Sequence, residues 1–322
     1  MPTTVTPPAT QTQYDTAGLQ LSFILADLRL ALMDQLDTMP DMGEPIDMSG
    51  MSSLTTRMPV IDGIGYAQRM TASVDEVTLN AADSYTLDYT SASVAQYDLA
   101  YTQSIQNQVI SAPGVVMTLD QLKGMLPMNL VKTLRYLYCT TGGTISAVTV
   151  GSAAAALDAD DMYDLAAQIN LRLGAAALGI PTATLDPAQF NAVRAAFRSE
   201  PAFVQNLAAF QKIQGVQNGQ RYGDILGLGF DIQVTDDVTQ SGGAYLGFCV
   251  SPGAIRRVKA DPSRAQIPAA ARPMFMPEYG VVVYETFGGL GSATLGWQAV
   301  GFLGSALTPA SSSLQILVTS LV

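Results

Sequence analysis

Residues 184–197 read TLDPAQFNAVRAAF, and this stretch decides the fold of the middle of the chain. Asp186-Pro187-Ala188-Gln189 is a helix start. An Asp at the N-cap accepts hydrogen bonds from first-turn N–H groups, Pro at the first helical position needs no N–H, and Gln at the third can reach back to the cap. Phe190, Val193 and Phe197 then recur at three- and four-residue spacing as one apolar face. Upstream, Asp158 with Asp161 has the same form and opens a helix whose face is Met162, Leu165, Ile169 and Leu173, with Gly179 as its stop. Downstream, Ser199-Glu200-Pro201 opens a third helix through Phe203, Leu207 and Phe210. Three short helices in succession predict a compact α-rich module over 157–210.

Beyond it lies a polar Gly-rich loop (Gly215 to Gly223), after which Leu228, Phe230, Ile232 and Val234 alternate as a strand closed by Asp236-Asp237. Ala244 to Val250 is a continuously apolar strand. Residues 260–277, with four prolines, read as a linker, and Tyr279–Tyr284 and Leu295–Leu303 as two strands of a last sheet.

Before the module, Leu119, Leu122, Leu126, Leu130, Leu134 and Leu137 predict a helix over Met117–Tyr138, with Asp120 near its start. Pro127 should kink this helix or begin its second half, and Thr141-Gly142-Gly143 should stop it. Between Val60 and Leu99 the alternation of Val74, Glu76 and Thr78, then Tyr85, Leu87 and Tyr89, predicts a long two-stranded excursion turning at Asn80–Asp83. A two-stranded excursion rich in polar residues cannot bury a core alone. Residues 14–36 carry Leu21, Ile24, Leu25, Leu28 and Leu32 at helical spacing, ended by Pro40. Residues 39–60 read as an extended crossing segment, and residues 1–13 as a Thr- and Pro-rich arm.

Composition narrows the function. The 322 residues hold Lys+Arg 16 against Asp+Glu 27, a formal net charge of −11. Charged residues make up 13%, against about 25% in an average globular chain, while apolar residues make up 48%. Such a chain buries much of its surface against partners or enters a membrane. The lysines are Lys123, Lys132, Lys212 and Lys259, and Arg256, Arg257 and Lys259 form the nearest approach to a basic cluster. That is too small for general affinity to a duplex, although a weakly repelling wall can still enclose DNA. Histidine is absent, which removes His triads, His-ligated zinc and the commonest general base. Cys139 and Cys249 sit in apolar runs without a CxxC and read as buried thiols in a reducing cytoplasm. Met1 to Gln13 lacks the form of a signal peptide. No charge follows Glu285, but six glycines between Gly288 and Gly304, Pro309 and a serine run read as buried strands and subunit contacts rather than a membrane span.

Every candidate site has a plainer explanation. Asp158, Asp160, Asp161 and Asp164 offer oxygen ligands for a divalent cation, but capping and the helix dipole account for acids there. Asp236-Asp237 reads as a turn, since adjacent strand carboxylates point to opposite faces. Gly227-Leu228-Gly229 leads into a strand, and Gly288-Gly289-Leu290-Gly291 lacks a following Lys-Ser/Thr, so neither is a phosphate loop. Ser241-Gly242-Gly243 sits in a turn without a base, Arg256-Arg257 suits an intersubunit salt bridge, and Trp297 suits a packing anchor. No catalytic, cofactor-binding or metal-ligating residue is expected.

The order of elements resembles the subunit of tailed-phage coat proteins, the Hong Kong 97-like fold. The resemblance is carried by the acid-capped helix, Leu185-Asp186-Pro187-Ala188-Gln189, Pro201-Ala202-Phe203, the strand from Gly229 to Asp236, the apolar strand ending near Ala254, and Glu278-Tyr279-Gly280-Val281-Val282-Val283. It covers about two-thirds of the chain, more by order than by any invariant motif. The resemblance implies an α+β chain: residues 1–54 as N-terminal arm, 55–98 as extended β-hairpin loop, 99–150 with 265–322 as peripheral domain with a long spine helix, and 151–264 as axial domain. It implies a non-enzymatic major capsid protein without cofactors that self-assembles through pentameric and hexameric capsomers into an icosahedral virion shell enclosing double-stranded DNA, without a membrane. A separate scaffolding protein, a portal and a decoration protein are the implied partners, with assembly in the host cytoplasm. Some members crosslink through a lysine on the extended loop, and here no lysine precedes Lys123. The helix at 14–36, with Asp15, Asp27 and Asp34 against Arg29, should pack on the shell or touch scaffold rather than bind DNA. The alternatives are an encapsulin-like protein nanocompartment and, from another class, a His-free hydrolase or lyase using Asp and Arg.

Overall fold

The computed structural model describes residues 42, 44–49, 55–62, 86–104, 119–176, 179–199, 221–271, 273–287, 294–310 and 313–321. The predicted arm, the helix at 14–36, Pro40, the turn at Asn80–Asp83 with its Val74–Thr78 flank, the third helix after Ser199 and the Gly288–Gly291 run lie outside the described residues. In chain order the elements are β1 (Ile46–Asp47), β2 (Thr55–Asp62), β3 (Thr86–Ser93), β4 (Ala95–Ser104), α1 (Leu119–Gly142), β5 (Thr149–Gly151), α2 (Ala159–Ala176), β6 (Thr182–Leu185) and α3 (Pro187–Ser199). There follow β7 (Arg221–Tyr222), β8 (Asp231–Val234), β9 (Gln240–Ser241), β10 (Ala244–Val250), β11 (Ile255–Lys259), β12 (Met274–Met276), β13 (Val281–Phe287), β14 (Thr294–Leu307) and β15 (Gln315–Leu321). The described residues fall into two units, one drawn from 38–95, 134–260 and 302–322, the other from 96–133 and 261–301.

In the larger unit both helix starts form as the sequence dictates. The Asp158 N–H donates to Asp161 Oδ2 (3.0 Å) and the Asp161 N–H to Asp158 Oδ1 (2.9 Å), a reciprocal cap. At α3 the Ala188 N–H donates to Asp186 Oδ1 (2.7 Å) and the Asp186 N–H to Gln189 Oε1 (3.1 Å). Gln189 also donates from Nε2 to the Val318 carbonyl (3.3 Å), so the cap stitches its helix to β15. Gly247 makes this possible: a Cβ there would stand 2.7 Å from Gln189 Oε1.

Seven strands form the sheet beneath these helices, ordered β5-β15-β10-β6-β8-β7 with β9 beside β10. β6 and β8 are parallel, as are β15 and β5, while β10 runs antiparallel to β15 and β6. The registers put Val150, Val318, Ile316, Cys249, Ala183, Leu185, Ile232 and Val234 on one face. There they meet Met162, Leu165, Ile169, Phe190, Val193 and Phe197 of α2 and α3 in one apolar core. The other face carries Thr184, Gln233 and Gln315 beside Phe248, Val250 and Leu317. Phe248 stacks obliquely on Tyr138 of α1, centroids 5.2 Å apart at 58°. A Cβ at Gly142 would overlap the Phe248 ring, so this helix ends on glycine for want of space as much as for a stop signal.

A smaller core of the same unit joins Ile46, Met48, Ala92, Val94, Val258 and Ala306. β11 pairs antiparallel with the end of β14 and parallel with β1. β2 and β3 pair from Thr55↔Ser93 to Asp62↔Thr86 and with no other strand among the described residues. Gly304 admits the Ser93 carbonyl where a Cβ would clash. The other unit contains β12, β13 and the start of β14 in antiparallel order, with Met276, Val281, Val282, Val283, Ala299 and Val300 buried.

The structure differs from the sequence reading at several places. α1 runs on to Gly142, past the predicted end at Tyr138. Strand β1 and the start of β2 at Thr55 fall inside the segment read as a crossing. The 260–277 linker contains 3₁₀ turns at Pro262–Arg264 and Ala269–Ala271 and the strand β12. Strands β1, β5 and β11 escaped notice because two or three residues, or a run such as Ile255-Arg256-Arg257-Val258-Lys259, show no alternation to read.

Candidate assembly surface

Helix α2 buries Ala159, Met162, Leu165, Ala166 and Ile169 and turns Asp160, Tyr163, Asp164, Ala167, Asn170 and Leu171 to solvent. Leu171 is 78% exposed and Tyr163 46%, eight residues apart on one outward stripe. Covering an exposed leucine is worth roughly 2 kcal/mol, so both favour a partner. Tyr163 also leans on Phe197 of α3, ring centroids 6.0 Å apart. Helix α3 turns Asn191, Ala195 and Arg198 outward with Arg194 half-exposed. Further large apolar side chains stand exposed at Met128 and Tyr136 of α1, at Ile180 and at Leu321.

The sequence candidates for chemistry resolve into structural roles. Asp158 and Asp161 cap α2; partial burial and the neighbouring carboxylates of Asp158, Asp164 and Asp160 push the Asp161 carboxyl above the usual range, against its hydrogen bond from the backbone. Among the described residues no three His, Cys, Asp or Glu side chains converge to hold a metal ion. The Asp237 N–H donates to Thr235 Oγ1 (3.3 Å), a local turn. Gly227 and Gly229 have positive φ of 71° and 88°, and Asp224 fills the resulting cradle, accepting from the Leu228 N–H (2.9 Å) and the Gly229 N–H (2.7 Å). The loop's own carboxylate occupies the place a phosphate would need.

Ser241 is exposed beside the Gly242-Gly243 turn. Arg256 is exposed and Arg257 half-buried at adjacent positions of β11, hence on opposite faces. Trp297 stands opposite Glu285 in the β13–β14 ladder. Cys139 and Cys249 are free and buried, and burial pushes both thiols upward. Cys249 points into the apolar face while α1 lies on the other, so the sheet separates them. Among the described residues no helix is long and apolar enough to cross a membrane.

The polar face holds one unusual pair. The Tyr138 hydroxyl and Thr184 Oγ1 are buried close to one another, yet neither makes a well-formed hydrogen bond. Burial drives the Tyr138 hydroxyl far above its usual value. It is sealed from solvent and offers a reactant no approach.

Sequence reasoning missed Tyr163 and Leu171. Their signal was present: both fall off the Met162-Leu165-Ile169 stripe, on the side that should be polar in a helix with one buried face.

No protein-family model matches the sequence, and no curated protein matches it. Solved structures do match. The capsid of Ralstonia phage GP4 is 11% identical with a TM-score of 0.54, over 89% of this chain and 90% of that one. The capsid structure of the cyanophage P-SCSP1u is 10% identical, TM-score 0.53, over 86% of each chain. A structure from Mycobacterium phage Bobi is 11% identical, TM-score 0.51, over 89% of each. The chain therefore has the α+β Hong Kong 97-like fold of phage coat subunits.

Proposed function

We propose that this chain is the major capsid protein of a tailed double-stranded DNA phage, a non-catalytic subunit whose copies build an icosahedral shell. The observation that carries the reading is likeness of fold over nearly nine-tenths of both chains. Low charge and exposed apolar side chains on α1 and α2 support it, because a subunit that meets several neighbours must keep apolar surface in reserve. The hairpin β2–β3, paired only with itself among the described residues, suits a loop that lies on a neighbouring copy.

Within this reading residues 1–54 are the N-terminal arm, 55–98 the extended loop, 99–150 with 265–322 the peripheral domain and 151–264 the axial domain, to whose sheet the C-terminal segment lends strand β15. Pentameric and hexameric capsomers form, with a scaffolding protein and portal during assembly in the host cytoplasm and a decoration protein on the virion. DNA is enclosed rather than bound, since a net charge of −11 repels it.

The test is electron microscopy and light scattering of the purified protein, alone and with its scaffold. Closed shells or capsomers are expected, and a sharp monomer or dimer at high concentration overturns the reading. Particles from infected cells should contain DNA; a protein cargo instead would make the chain an encapsulin-like shell. Denaturing gels without reductant should show a single band at 33.9 kDa, because the loop lacks lysine and the thiols are buried.

A further inference from the structure

The outward faces of α2 and α3 carry opposite charge. α2 presents Asp160 and Asp164 beside Tyr163, and α3 presents Arg194 and Arg198, four residues apart and therefore on one stripe. None of these four takes part in an ion pair among the described residues. The outward stripe of α2 at Asp160 and Asp164 is thus acidic and that of α3 at Arg194 and Arg198 basic, with Arg172 to one side near the end of α2, and the acidic helix carries the exposed Tyr163 and Leu171.

From this division we infer that α2 of one copy docks against α3 of the next copy, Asp160 and Asp164 facing Arg194 and Arg198, with Tyr163 and Leu171 covered in the same contact. The occupant is a second copy of this chain because the complement to each face is already present in the sequence. Asp160 and Asp164 repel their own kind, as do Arg194 and Arg198, so the acidic stripe of α2 meets the basic stripe of α3. On the shell reading the contact runs head to tail from copy to copy and closes into rings, whereas a reciprocal pairing of α2 on α3 and α3 on α2 would close at two copies. This step rests on the shell reading above and names the surface that builds its capsomers. The charges set partner and register, while the apolar pair supplies most of the adhesion, so moderate salt leaves the contact in place.

The experiment uses the full chain in three charge variants. Asp160→Arg with Asp164→Arg makes both faces basic; Arg194→Glu with Arg198→Glu makes both acidic; the fourfold variant exchanges the faces. All four positions are exposed or half-exposed, and an unchanged thermal melt establishes that each variant folds. Each double variant should raise the concentration needed for ring assembly by at least about tenfold, and the fourfold variant should restore it. An equimolar mixture of the two double variants should also assemble, into alternating rings with even numbers of subunits by native mass spectrometry. Folded double variants that assemble like the wild type, a fourfold variant that does not recover, or odd-membered rings in the mixture overturn the inference and leave the shell reading standing. A wild type that stops at a two-copy particle, or never assembles, overturns both.

Discussion

The two faces of the seven-stranded sheet are built from different chemistry although the same strands supply both. One face is aliphatic and closed by α2 and α3, with Ala183, Leu185, Ile232 and Ile316 under Phe190 and Phe197. The other is mixed, with Thr184, Gln233 and Gln315 around Phe248, and takes its cover from the end of α1. Their difference separates adhesion from positioning. An aliphatic face holds the helices above it by adhesion, whereas a ring seated where a glycine leaves no room for a Cβ fixes one arrangement.

If both faces are true cores, Phe248→Ala and Phe190→Ala should each destabilise the protein by about 3–5 kcal/mol, read from chemical denaturation. A loss for Phe248→Ala below about 1 kcal/mol would mean that the mixed face holds nothing up. Gln189→Ala should cost about 2 kcal/mol, because the Asp186 N–H loses its partner and a gap opens over Gly247. Ser at position 189 should recover little, as it cannot reach Val318.

Tyr138→Phe has the opposite sign. Removing a buried hydroxyl without a well-formed bond should leave stability unchanged or raise it by up to about 1 kcal/mol. A clear loss would show that the hydroxyl has a partner such as a bound water. The smallest effect belongs to Asp186. Its carboxyl is pushed above the usual range chiefly by burial, against its bond from Ala188 and with repulsion from Asp236. A folded state that holds the proton more tightly than the unfolded one gains stability below the ordinary aspartate range and loses it as pH rises through the folded value. Asp186→Asn keeps the cap without the charge. It should match or exceed the wild type by a few tenths of a kcal/mol near about pH 7, and this advantage should vanish toward about pH 4.

The helical side of the sheet was readable in the sequence because its signals are local. A cap at Asp186 and a face at Phe190, Val193 and Phe197 lie within a dozen residues of each other. The partner side was not, because its contacts join distant residues. Nothing near Gly142 announces Phe248, and nothing near Gln189 announces Gly247 or Val318. The same limit applies to the assembly surface. The acids of α2 were visible but explained by capping, and Leu171 becomes notable only once Met162 and Ile169 are known to point the other way. The order of elements nevertheless pointed to the Hong Kong 97-like fold that the structure bears out.

Strand β15 has a consequence for how the chain is made. It lies between β5 and β10, pairing Leu317 with Thr149 on one side and Phe248 on the other. Ser251, Thr308, Ser313 and Gln315 lock its entry in a buried hydrogen-bond network. Until residues 315–321 are in place, the middle of this sheet is an open slot lined by Val150 and Cys249. The core therefore closes only when β15 slides home between strands distant from it in sequence, a non-local step that comes late in folding.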